Sequence, residues 1–247
     1  MESALPLAWG FFLALARTAA LIMVAPGLSS KMVPTRVKVG LAAAVALAGF
    51  SGAPIHALAL PNTMFALVSA VAQETAFGGL AGIGARFILE AAGAAGHVAG
   101  LSMGLGYGSL INPDSGASSS IISDLLGTVA FAIAISLGLH REACAWVCRS
   151  FTMLPPGSDL PIRALGAQAL AHTVFGMALA MRIAFPLLLA VTLGHVGLGL
   201  LGKFAQQLSL NTIGFSASII AGGGALYLFA PQAVDLVARE AVRALPS

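Results

Sequence analysis

Three observations predict an all-α protein of membrane-associated helical hairpins. Only 9% of the 247 residues are charged, against about a quarter in soluble domains. Mean hydropathy is +0.95. Residues 39–73, 183–202 and 204–234 contain no Asp, Glu, Lys or Arg. Roughly 20 apolar residues cross a bilayer core as a helix, so each run is long enough. Water is not the solvent for most of this surface.

The elements follow in order. Residues 4–25 read as a first apolar helix carrying Arg17 and ended by Pro26 and Gly27. A short basic connection follows, with Lys31, Arg36 and Lys38. Residues 39–50 begin a second helix, interrupted by Ser51-Gly-Ala-Pro54 and again by Pro61-Asn62. Residues 63–111 are helix-compatible but too long for one simple span, and a kink or hairpin near Gly93–Gly96 is expected to divide them. Residues 121–148 form the next segment, closed by the break Leu154-Pro-Pro-Gly-Ser-Asp159. Residues 164–202 are again overlong, with Pro186 inside. Residues 207–230 are the last apolar segment. Pro231 then opens a short amphipathic tail ending at Arg243.

The stretch from Gly96 to Ser120 changes character halfway. Glycines 96, 100, 104 and 108 recur every four residues, laying bare backbone on one helical face where another helix can approach closely. Asn112-Pro113-Asp114 stops that helix, because the residue before proline leaves the α region. From Asn112 to Ser120 only Ala117 is neither polar, Pro nor Gly. A close-packing helix thus runs into a compact polar loop in the middle of an apolar chain, and that loop reads as the working part.

Six spans threaded through a bilayer do not satisfy the positive-inside rule. Placing Lys31–Lys38 inside puts Lys203 inside too, but leaves Arg141, Arg149, Arg163, Arg239 and Arg243 outside. Six charges lie within apolar segments and are expected to be buried and paired, or to line a wet path: Arg17, Glu74, Arg86, Glu90, Asp124 and Arg182. Arg86 and Glu90, four apart, share a helical face. Pro186 removes the amide that would bond the Arg182 carbonyl, a local weakness that makes a hinge or a filled kink.

Other chemistries find little support. The net charge of +3 gathers no basic face interleaved with aromatics, which argues against nucleic acid. Met1-Glu2-Ser3 lacks a signal peptide's positive region. Cys144 and Cys148, one turn apart, read as packing residues, since no further metal ligands stand at suitable spacing. There is no His-Glu-x-x-His, no Gly-x-Ser-x-Gly and no phosphate loop. The histidines at 56, 97, 140, 172 and 195 are dispersed. No enzyme, cofactor or metal site is expected.

Several stretches in order resemble the R-subunit family of the flagellar type III protein export gate and its injectisome counterpart. They are Arg17 to Ala25-Pro26, Val33-Pro-Thr-Arg-Val-Lys-Val-Gly-Leu41, Glu74 with its following glycines, and Gly100-Leu-Ser-Met-Gly-Leu105 with Asn112-Pro-Asp114. Leu139-His140, Leu154-Pro-Pro-Gly157, Arg182-Ile-Ala-Phe-Pro186 and Gly199 to Leu208 running to Ile213-Gly-Phe215 complete the set. Two departures remove prolines from the final hairpin. Ala205-Gln206-Gln207 stands where the family often has Ala-Pro-Gln, and Ser216 stands where a proline often follows.

The resemblance implies one subunit over residues 1–247, with a P-like part at 1–163 and a Q-like hairpin and tail at 164–247. It implies coiling with P and Q subunits into an export channel, much of it raised out of the bilayer, in a bacterial inner membrane at the flagellar basal body. The other implied partners are the B-type switch subunit, unfolded export substrates and membrane lipid. A pore plug maps to Gly106, Tyr107, Gly108, Ser109, Leu110, Ile111, Asn112, Pro113, Asp114, Ser115 and Gly116. Gly96, Gly100, Gly104 and Gly108 would dock the preceding helix. The alternative reading is a stand-alone multi-pass transporter using the intramembrane charges as an ion or proton path.

Overall fold

The computed structural model describes residues 4–26, 34–52, 60–105, 120–204 and 210–245. Among these residues it is all α-helical, with no strand. The helices are α1 (Ala4–Val24), α2 (Thr35–Ser51), α3 (Met64–Ser102), α4 (Ile121–Ser136), α5 (Leu139–Met153), α6 (Ile162–Phe204) and α7 (Leu210–Arg243). Four are long and apolar enough to cross a membrane, and the bent pair α4–α5 brings the number to five if it forms one span. That replaces the six-span threading. α2, at 17 residues, is too short to count.

Three boundaries differ from the sequence reading. α3 runs unbroken through Gly93 and Gly96 for 39 residues. Glycine weakens a helix by only about 1 kcal/mol relative to alanine, which tertiary contacts readily offset. α7 continues through Pro231 to Arg243, so the expected tail is part of the last long helix. Conversely, the apparent segment 121–148 is divided. Gly138 takes φ +93° and starts α5 at an angle of 58° to α4. The 43 residues of α6 extend for about 64 Å at 1.5 Å per residue, about twice a hydrocarbon core.

The chain divides into two compact units. The first holds the described residues of 1–87, 135–173 and 241–247. Its core joins Leu21, Phe50, Phe77, Trp146, Val147, Phe151 and Leu165. Phe77 stacks on Trp146 with ring centres 5.6 Å apart. Glycines set its helix contacts. A β-carbon on Gly78 would strike the Arg17 carbonyl, and one on Gly82 would sit 3.3 Å from the Leu21 carbonyl oxygen. These contacts advance together, so α1 and this part of α3 run side by side in the same direction.

The second unit holds the described residues of 88–134 and 174–240. Here α6 and α7 form an antiparallel hairpin. Gly194 lies against Ala221, His195 Nε2 hydrogen-bonds Ser218 Oγ, and Gly214 lies against Leu198. Large apolar side chains, among them Met177, Met181, Phe185, Leu193, Ile220 and Tyr227, are exposed on this hairpin.

Candidate functional site

Two polar or glycine-built places carry the chemistry of this chain, one in each unit. The first is a buried ion pair. Arg17 on α1 and Glu74 on α3 are 0% and 1% exposed. Arg17 Nε donates to Glu74 Oε2 at 2.6 Å. Its Nη1 donates to the Ser150 carbonyl at 3.2 Å, to Ser150 Oγ at 3.1 Å and to the Leu154 carbonyl at 3.0 Å. Those acceptors lie in the last turn of α5 and at its cap; the Ser150 carbonyl is shared with the Leu154 amide, which bonds it at 2.9 Å. The guanidinium also lies 5.0 Å from the centre of the Phe77 ring and 5.1 Å from that of Phe151. Glu74 Oε1 accepts the Gly157 amide at 2.8 Å. Gly157 has φ +80°, a conformation that favours glycine. One arginine and one carboxylate therefore tie α1, α3, the end of α5 and the following turn together.

The second place flanks the polar loop. α3 ends in a Schellman turn: the Leu105 amide bonds the Gly100 carbonyl at 2.9 Å, and the Gly104 amide bonds the Leu101 carbonyl at 3.0 Å. Gly104 supplies the left-handed residue, φ +82°. α4 starts at Ser120, whose hydroxyl accepts the Ser123 amide at 3.4 Å. These two ends touch. A β-carbon on Gly96 would lie 2.8 Å from the Ile122 carbonyl oxygen and 2.9 Å from Ser123 Cα, and one on Gly100 would lie 2.8 Å from Ser120 Cβ. Ser123 Oγ donates to the Gly93 carbonyl at 2.8 Å. α3 and α4 are thus antiparallel along this seam, and the chain that leaves α3 after its terminal turn re-enters at Ser120 beside Gly100. Met103, 2% exposed, packs its side chain onto Gly222 of α7.

The expected site residues fall as follows. Gly96 and Gly100 lie on the seam, whereas Gly104 lies in the terminal turn, where its backbone angle rather than its missing side chain is used. Gly108 and the loop residues Gly106, Tyr107, Ser109, Leu110, Ile111, Asn112, Pro113, Asp114, Ser115 and Gly116 lie outside the described residues. Burial separates the six charges. Arg17 and Glu74 are buried and Arg86 is half-buried, but Glu90, Asp124 and Arg182 are exposed on the surface of this chain. The expectation of burial therefore changes for those three: a helix in an apolar segment still has an outward face, which segment hydropathy does not report. Cys144 and Cys148 are free and half-buried. Among the described residues, no group of three or more His, Cys, Asp or Glu could hold a metal ion.

Sequence reasoning missed the Arg17–Glu74 partnership and the glycines that permit it. A signal was present. Glu74, Gly78 and Gly82 have the same four-residue spacing as Gly96 and Gly100, and so share a face of α3.

The family model of bacterial export proteins, family 1, matches residues 8–243. The chain belongs to this family. A relative from Escherichia coli (strain K12), flagellar biosynthetic protein FliR, is 30% identical over 86% of this chain and 80% of its own length. Relatives with the same designation from Caulobacter vibrioides and Pectobacterium carotovorum are 23% and 28% identical. They cover 85% and 90% of this chain, and 84% of their own length in each case. Both the buried pair and the α3–α4 seam of this family 1 export protein lie inside the matched region.

Proposed function

We propose that this family 1 export protein is a component of the flagellar protein export apparatus, and more specifically its R-type gate subunit. With P and Q subunits it forms the channel through which unfolded flagellar proteins cross the inner membrane at the basal body. The B-type switch subunit is the further partner. In this reading residues 1–163 are the P-like part, and residues 164–247 are the Q-like hairpin and tail. The near full-length likeness to relatives called flagellar biosynthetic protein FliR supports the assignment. The antiparallel α6–α7 hairpin supports the Q-like part. Its exposed apolar side chains suit partner helices and lipid.

The gating role rests on one observation: the helix ends flanking the central loop pack together, Gly96 against the Ile122–Ser123 backbone and Gly100 against the Ser120 side chain. A polar segment anchored in this way can occlude a pore while its scaffold stays closed. Its serines and asparagine hydrogen-bond water when displaced, so movement carries little penalty. Deleting 110–118 is expected to leave the chain in its complex and to raise the ion leak of the closed gate. The measurement is co-purification with the partner subunits together with membrane conductance. Unchanged conductance in an assembled deletion complex would reject the plug.

A further inference from the structure

Two buried polar atoms of the arginine node have no partner among the described residues: Arg17 Nη2 and the Ser158 hydroxyl oxygen. Both adjoin the same carboxylate. Glu74 Oε2 holds Arg17 Nε, and Glu74 Oε1 holds the amide of Gly157, the residue before Ser158. A guanidinium is planar, and its Nη2 lies on the same side as Nε–H. Nη2 therefore faces the carboxylate and the turn, while Nη1 is occupied by Ser150 and Leu154. We propose that one ordered water molecule is built into this site, accepting from Arg17 Nη2 and bonded to Ser158 Oγ, with Glu74 Oε1 as third partner.

The chemistry selects water over the alternatives. Buried donors are nearly always satisfied, and a guanidinium N–H between two aromatic rings has no apolar way to be so. Buried waters typically make about three hydrogen bonds to polar groups that would otherwise be unsatisfied, and three are on offer here. An anion would add a charge to a pair that already balances. The water completes the ring that fixes the turn between α5 and α6.

The test is a density map of the full chain in its purified membrane assembly, at a resolution that shows ordered water, with Ser158→Ala as the variant. The expected result is a peak about 3 Å from both Arg17 Nη2 and Ser158 Oγ. In Ser158→Ala the peak weakens or moves, and the unfolding rate in detergent rises roughly fivefold. The proposal is overturned by a map in which Nη2 meets a protein acceptor with no peak between. It is equally overturned by a peak that exchanges with bromide, or by Ser158→Ala leaving both peak and unfolding rate unchanged.

Discussion

The arginine node and the α3–α4 seam solve the same problem, holding helices together, by opposite means. At the node, α1 and α3 are joined by a charge pair, oriented hydrogen bonds and two aromatic faces. At the seam, Gly96 lets the α4 backbone approach the α3 backbone directly, Gly100 makes room for the Ser120 side chain, and a side-chain bond from Ser123 to the Gly93 carbonyl is added. The node depends on what its side chains carry; the seam depends on their absence. An electrostatic contact in an apolar shell is strong and directional, so it suits a scaffold. A contact made through missing side chains is sterically demanding but weakly oriented, so it sets how closely two helices approach rather than which groups face each other.

Breaking the node is expected to have the largest effect. Arg17→Ala leaves Glu74 buried without its cation, a loss of about 3–5 kcal/mol. The check is the thermal midpoint of the solubilised chain. Replacing both partners together, Arg17→Met with Glu74→Leu, should recover much of that loss, because two apolar groups need no partner. A double variant as unstable as the single one would show that the carbonyls of Ser150 and Leu154, rather than the charge balance, dominate.

Next in size is a contrast between neighbouring glycines on α3. Gly78→Ala drives a β-carbon into the Arg17 carbonyl and should cost about 1–3 kcal/mol, whereas nothing lies within 4 Å of a β-carbon at Gly79. Gly79→Ala should therefore stabilise the helix by up to about 1 kcal/mol. Unfolding midpoints of the two variants, measured side by side, would separate steric exclusion from helix propensity. Equal shifts would remove the glycine contact from the account of the first unit.

At the seam, Ser123→Ala removes one bond to the Gly93 carbonyl and should cost about 1 kcal/mol, read as faster hydrogen exchange at the start of α4. The smallest change is expected on the surface. Glu142 and Arg149 are 3.8 Å apart and both partly exposed, and Glu142→Gln should shift the midpoint by less than about 1 kcal/mol. A large effect there would mean that an exposed pair rivals the buried one, and would undo the ranking.

The loop that the sequence reading singled out lies outside the described residues, but its anchors do not. Gly96 and Gly100 were legible because a four-residue spacing maps onto one helical face, whatever lies opposite. Gly104 was read by the same rule. The structure gives it a different use, because a positive φ depends on where the helix ends. The division at Gly138 escaped notice, since an apolar run looks the same whether its helix continues or turns. Pro231 misled in the other direction: one missing amide in a long helix is tolerated where the surroundings hold both halves.

Composition alone determined that this chain is helical and too apolar for water, since hydropathy and charge-free length are properties of the residues themselves. Local spacing likewise marked the glycine faces and the polar interruption. Only the tertiary structure decided which of six internal charges are buried, that Arg17 meets Glu74 across 57 positions, and that Ser120, at the start of α4, lies against Gly100 near the end of α3. Those are facts about pairs of residues distant in sequence. The desolvation that makes a buried pair indispensable arises only when other helices close around it.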